Sequence, residues 1–196
     1  MSYILGGKIP NIILASASPR RATLLRQIGL DFQVLPSQIN EPNIRSQPVE
    51  TTKRIAYEKA KAVIDQVESG LVIGADTTVV MGQAAMGKPT SRQQAVEFLT
   101  KLSGSLHQVI TGVALIDVNR KTEIVWSEKT SVFLRRLRSE EIEAYVASGE
   151  ADDKAGAYGI QGKAAAFVKR IEGCYFNVVG LPLASLVERL YQIYQT

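Results

Sequence analysis

Unbroken apolar runs of strand length alternate along the chain with apolar residues spaced three and four apart, the period of helices. Residues 11–16 predict a buried strand. Ser18 and Pro19 then stand as N-cap and first helical residue, with Leu24, Leu25 and Ile28 on one face and Gly29 as the stop. Residues 32–35 predict a short strand, and residues 36–48, with three prolines and two asparagines, a loop. Ile55, Ala56, Ala60, Val63 and Val67 mark one buried face of a helix over about residues 49–67. Residues 71–81 form a strand-rich run broken by a single carboxylate, Asp76. Ser91 caps a helix through Leu102, whose core face is Ala95, Phe98, Leu99 and Leu102. Two long strand segments, residues 108–117 and 122–134, flank Asn119-Arg120 and predict a hairpin. Ser139 and two glutamates open a helix to Ser148. A Gly/Ala-rich stretch follows at 153–162, then a strand near 166–171, a turn at Gly180-Leu-Pro182 and a helix from Leu183 to Tyr194.

This alternation predicts an α/β fold. No repeat, low-complexity segment or linker divides the chain, so residues 1–196 are expected to form a single domain with residues 1–10 as an N-terminal extension. A chain of 196 residues buries roughly 70% of its unfolded surface, enough for a core without staples.

Composition narrows the chemistry further. One cysteine, Cys174, and one histidine, His107, exclude an internal disulfide, a Cys₄ zinc site, an iron–sulfur cluster and His₂ or His₃ metal sites. A Cys174–His107 pair stays arithmetically open on weak grounds. The lack of paired cysteines suits a reducing cytosol. No apolar run approaches the ~18–20 residues of a membrane span. Ala15-Ser16-Ala17 resembles a signal-peptidase site, but no positive residue precedes the first apolar pair, and Gly6, Gly7 and Pro10 break the segment. A cytoplasmic protein is expected. The 23 Lys+Arg exceed the 19 Asp+Glu by four, and the charges are spread along the chain, with no basic block longer than Arg135-Arg136-Leu137-Arg138. Such a balance suits an anionic substrate and equally a solvated surface.

Three constellations carry candidate chemistry. Ser16-Ala-Ser-Pro-Arg-Arg21 lies at a strand-to-helix junction, where free N–H groups, hydroxyls and two guanidinium groups can hold phosphate. The alternative is an ordinary capped helix with two surface arginines. Asp76 interrupts an apolar strand, and a buried unpaired carboxylate is costly. It calls for a turn at a bulge, a divalent metal or lysines, with Glu41 as second carboxylate and Lys59 and Lys88 as candidate cations. Gly156, Gly159 and Gly162 permit close approach of backbone to a flat or charged ligand, or simply a turn-rich connection. The stretch lacks the Lys-Ser/Thr ending of a P-loop.

Together with Gly74-Ala-Asp-Thr-Thr78, Gly87-Lys-Pro89, Leu102-Ser-Gly104, Thr111-Gly112 and Val179-Gly-Leu-Pro182, these segments resemble, in order, the motif series of the Maf family of nucleotide pyrophosphatases, over nearly the whole chain. The form Tyr158-Gly-Ile-Gln-Gly162 is similar to the branch acting on dTTP and UTP. The resemblance implies a mixed, ITPase-like α/β sheet with flanking helices in two lobes around a substrate cleft, often as a homodimer. It implies Asp76 as catalytic carboxylate, and Arg20, Thr77 and Gln161 as positions of substrate choice. Ser16, Arg21, Glu41, Lys59 and Lys88 become further polar residues of the cleft. Relatives often carry an acid where Asn40 stands, which leaves Glu41 and Asp76 as the main acidic pair for Mg²⁺ or Mn²⁺.

The implied reaction is water attack at the α-phosphorus of dTTP, UTP or a modified pyrimidine nucleotide, releasing monophosphate and pyrophosphate. Carboxylates are weak bases at neutral pH, so Asp76 is expected chiefly to hold metal and orient water. Gln161 can pair its amide with N3–H and O4 of uracil or thymine, and needs a neighbour to fix that amide if cytosine is to be refused. Three alternatives are the same chemistry on 7-methyl-GTP, a nucleic-acid-binding module and a serine hydrolase. The module lacks a basic stripe interleaved with aromatics. The hydrolase would depend on His107 as its base and lacks the Gly-x-Ser-x-Gly elbow. In the pyrophosphatase His107 is expected to be structural.

Overall fold

The computed structural model describes residues 11–40 and 47–194, so the expected extension 1–10 and Glu41 lie outside the described residues. The run broken by Asp76 forms β3 (Leu71–Met81), the strand on which two styles of sheet meet. On one side β1 (Ile12–Leu14) and β2 (Phe32–Val34) extend the sheet in parallel. On the other, β5 (Leu106–Asp117), β6 (Thr122–Leu134) and β7 (Val168–Glu172) extend it antiparallel, while β4 (Ala84–Met86) folds back on the end of β3. The result is a mixed seven-stranded sheet of order β2-β1-β3-β5-β6-β7. The hairpin expected about Asn119-Arg120 is present as β5 and β6.

The two edges of β3 are treated differently. β5 pairs with it continuously from Leu71↔Asp117 to Val80↔Gln108. On the opposite edge β1 covers Leu71 to Ile73 and β4 covers Val79 to Met81. Residues 74–78 have no partner strand on that edge among the described residues.

Alternation sends successive side chains of β3 to opposite faces. One face is covered by α2 (Pro48–Lys61), whose Ala56 and Ala60 pack with Val63 on Ile13, Val72, Ala114 and Ile116. The helix sits close because two glycines lie beneath it. A Cβ on Gly74 would stand 2.1 Å from the Ala56 carbonyl oxygen, and one on Gly112 2.4 Å from Thr52 backbone. The other face carries two clusters. Around Leu14, Ile73 and Leu115 pack α1 (Pro19–Gln27), α5 (Tyr175–Val179) and α6 (Leu183–Tyr194). Around Val79, Val109 and Val132 pack α3 (Arg92–Leu102) and α4 (Ser139–Ala147). Phe98, expected in the core face of α3, is half-buried.

Several local expectations shift. Helix α2 ends at Lys61, and the apolar period continues through buried Val63 into a 3₁₀ turn at Ile64–Gln66. Ser91 caps α3 by accepting the Gln94 N–H at 3.1 Å, whereas Ser18 caps nothing with its side chain. Ser139 is the first residue of α4, and the capping position belongs to Arg138, whose N–H donates to Glu141 Oε2 at 3.0 Å.

Candidate active site

A cavity of about 630 Å³ opens at the uncovered segment of β3. The loop entering α1, the end of α2, Gly87 and Lys88 after β4, the stretch 153–162 and residues 178–180 wall it. Of the nine residues expected in the site, Ser16, Arg20, Arg21, Lys59, Lys88, Asp76, Thr77 and Gln161 all line it. Glu41, the ninth, lies outside the described residues.

Asp76 leaves β3 toward α2. There the Lys59 Nζ donates to its Oδ1 at 2.8 Å, and both side chains are buried. The close approach over Gly74 and Gly112 is what lets a lysine in the last turn of α2 reach into the sheet. The pair removes the penalty of a lone buried carboxylate and leaves Oδ2 for the cavity.

Thr77 leaves β3 toward the opposite face, into a polar seam between the two apolar clusters. Arg21 is buried and donates three times: Nε to the Gly180 carbonyl at 2.9 Å, one terminal nitrogen to Ser16 Oγ at 3.0 Å and the other to Thr77 Oγ1 at 3.1 Å. Thr77 and Thr111 hydroxyls lie 2.9 Å apart, and Thr111 donates to the Asn177 carbonyl at 3.0 Å. Guanidinium can only donate and a carbonyl can only accept, which fixes the direction of the chain. Arg21 gives to Thr77, Thr77 to Thr111, and Thr111 to Asn177. Ser16 Oγ also accepts the Ser18 N–H at 3.3 Å, so its own proton is what it has left to offer. That suits a phosphate oxygen beside the N-terminus of α1.

The other cations are more open. Arg20 reaches Asp153 at 3.4 Å across the cavity, and Lys154 pairs with the same carboxylate at 2.6 Å. Burial pushes the Asp153 carboxyl up, but the hydrogen bond and charge of Lys154, aided by Arg20, outweigh it and hold it below its ordinary value. Lys88 is exposed and makes no ion pair among the described residues. Among the described residues, five cationic side chains and two carboxylates line this cavity, a balance that suits a polyanion. Gln161 is exposed and makes no hydrogen bond among the described residues, so the neighbour expected to fix its amide is not among them.

Thr111 and Asn177 were not expected to take part. Thr111-Gly112 carried a motif signal, but Asn177 sits in a segment with none. His107 is bonded through Nε2 to the Tyr158 hydroxyl at 2.7 Å, and burial lowers its pKa to about 4. It touches neither Ser16 nor Ser18 and provides no base for a serine hydrolase. The Cys174 backbone N–H donates to Thr130 Oγ1 at 3.1 Å, and its thiol is free. Among the described residues, no group of three or more His, Cys, Asp or Glu could by itself hold a metal ion, and no helix is long and apolar enough to cross a membrane.

Residues 11–193 match the family model described as Maf-like protein. The dTTP/UTP pyrophosphatase of Geobacillus sp. (strain WCH70) is 50% identical over 183 residues, 93% of this chain and 97% of that protein. The protein of the same name from Pelotomaculum thermopropionicum is 49% identical over 91% of this chain and 94% of its own length. Among solved structures, the Staphylococcus aureus Ham1 protein superposes with a TM-score of 0.52 at 15% identity, covering 93% of this chain and 99% of that one. This last likeness is one of fold.

Proposed function

The chain belongs to the Maf-like family, and from that premise we propose that it is a nucleoside triphosphate pyrophosphatase acting on dTTP and UTP. The products are the nucleoside monophosphate and pyrophosphate. The observation that carries this reading is the meeting of five cations and the buried Asp76 at the one stretch of β3 left uncovered by β1 and β4.

The triphosphate, of about −4 charge, is drawn in by Arg20, Lys88 and Lys154, and its oxygens take the N-terminus of α1 and the Ser16 hydroxyl. Arg21, spent on Gly180, Ser16 and Thr77, positions those groups rather than forking to phosphate itself. Lys59 holds one oxygen of Asp76, and the other accepts a hydrogen bond from the water that attacks the α-phosphorus. The attacking oxygen stays on the monophosphate, and pyrophosphate leaves with the bridging oxygen. A single carboxylate beside substrate phosphates is a donor set that fits Mg²⁺ or Mn²⁺. Asp76, with Glu41 as the second carboxylate, would hold such an ion, which neutralises phosphate charge and lowers the pKa of a bound water.

Gln161 offers its amide to N3–H and O4 of the pyrimidine, and Arg20 and Thr77 complete the positions of substrate choice. We assign the activity to the cytoplasm, and a homodimer as the working form, the latter checked by sedimentation. Pyrophosphate release from dTTP, UTP, CTP, GTP and 7-methyl-GTP, with and without Mg²⁺, tests the reading. Turnover of dTTP and UTP above the rest supports it; preference for a purine, or no pyrophosphate from any substrate, refutes it.

A further inference from the structure

We infer that His107 and Tyr158 form a positioning pair that pins the stretch 153–162, and with it Gln161, over the sheet, so that this hydrogen bond sets base binding and base choice without touching the chemical step. The inference rests on the pyrophosphatase reading and extends it to two residues that have no part in holding phosphate.

The stretch that carries Gln161 has little regular structure of its own. It holds one 3₁₀ turn, Ala155–Ala157, with Gly156 and Ala157 both in left-handed conformation at φ 68° and 61°. Such a segment keeps its shape through what it is tied to. Three ties are to other loops and helices: Asp153 to Arg20 of α1 at 3.4 Å, the Gly156 N–H to the Gly87 carbonyl at 3.0 Å and the Gly159 N–H to the Tyr145 hydroxyl at 3.2 Å. The fourth runs to the sheet. Tyr158, three residues before Gln161, meets His107 of β5 at 2.7 Å, with the two rings edge to face at 5.4 Å. Both are nearly wholly buried, although Tyr158 also lines the cavity.

Two features separate this contact from ordinary packing. His107 stands within the β5–β6 ladder, opposite Val132, and so offers an immobile anchor. Its Nδ1 is buried with no hydrogen-bond partner among the described residues. A pair serving only to fill space would avoid that cost, since two apolar rings do so without an orphaned nitrogen. What the imidazole supplies is a directed bond at Nε2. His107 is also remote from Asp76. His107 lies five residues along β5 from Gly112, the partner of Asp76, or about 17 Å at the rise of a strand. Its influence travels through the position of Gln161.

The test is steady-state kinetics on UTP and CTP for Tyr158→Phe, His107→Leu, His107→Gln and the double variant Tyr158→Phe with His107→Leu. One neutral hydrogen bond corresponds to about tenfold. Each of the first two is therefore expected to raise KM for UTP about tenfold and to narrow the UTP-to-CTP ratio of kcat/KM by a similar factor, with kcat within about threefold. The double variant should be no worse than either single one, because both remove the same bond. His107→Gln, whose amide reaches the place of Nε2, should recover most of the loss. Ile116→Val, in the separate cluster beneath α2, lowers stability without touching the stretch and should leave the ratio unchanged. A fall in kcat at constant KM and constant ratio, or additive effects in the double variant, overturns the inference. Should the native protein release no pyrophosphate at all, the functional reading fails separately. Anchoring is then read from amide hydrogen exchange of residues 153–162, which must quicken in Tyr158→Phe; unchanged exchange sinks it.

Discussion

Asp76 and Thr77 are neighbours in the chain, yet they enter two different worlds. Asp76 turns to the α2 face, where it has a buried lysine on one oxygen and the cavity on the other. Thr77 turns to the α1 and α5 face, where Arg21, Thr111 and Asn177 use up every hydrogen of a one-way chain. The first side keeps a carboxylate oxygen facing the cavity. On the second, the Thr77 and Thr111 hydroxyls each accept one hydrogen bond and donate another. A site needs both: groups with bonding capacity to spend on the transition state, and groups whose capacity is already spent so that the first do not move.

The contrast can be broken most sharply at Asp76. Asp76→Asn keeps an acceptor for Lys59 but removes the charge, and we expect kcat to fall at least about a hundredfold in a protein that still folds, with some stability lost at the buried pair. Near-normal turnover would take Asp76 out of the reaction. The Thr77 face, by contrast, should carry acid sensitivity. His107 titrates near 4 in the fold against 6.5 for the free side chain. Its neutral form is favoured by folding, so its contribution is whole above about pH 6.5 and is lost as pH falls toward 4, by at most about 3 kcal/mol. Urea unfolding from pH 7 to pH 4 should show this decline, and His107→Gln should flatten it.

Two further changes test how the faces are held. Gly112→Ala drives a Cβ into the Thr52 backbone, lifts α2 and draws Lys59 from Asp76, at a cost of about 2–3 kcal/mol in urea unfolding and about tenfold in kcat. Thr111→Val breaks the chain on the other face, leaving Thr77 without an acceptor and the Asn177 carbonyl without a donor. We expect about 1–2 kcal/mol of lost stability and a kcat within about threefold. If Thr111→Val stopped turnover while Asp76→Asn spared it, the roles of the two faces would be reversed.

Much of this was legible in the residues. A carboxylate inside an apolar strand is a costly placement, and it pointed to Asp76 before any fold was known. The junction at Ser16 to Arg21, which we propose holds phosphate, was visible because hydroxyls and arginines stand together at a helix start. The role of Arg21 was not, since a guanidinium bound to a carbonyl 159 residues away looks the same in sequence as one that waits for phosphate. Strand β4 escaped notice because Ala84–Met86 has little strand propensity and is held by pairing with Val79 to Met81. Helix α5 escaped because Tyr-Phe-Asn-Val-Val favours strands, and a helix of five residues is made by tertiary contacts rather than propensity. The overrun of α2 to Val67 has a related cause. Its apolar period does continue to Val63 and beyond, but the backbone tightens into a 3₁₀ turn that buries the same side of the chain.

The most direct test is where the oxygen of water ends up. UTP should be turned over in H₂¹⁸O and the products weighed by mass spectrometry. Attack at the α-phosphorus by a water set on Asp76 puts one ¹⁸O in the monophosphate and none in pyrophosphate. Label in pyrophosphate, or release of orthophosphate in its place, would contradict the chemistry assigned to the uncovered segment of β3.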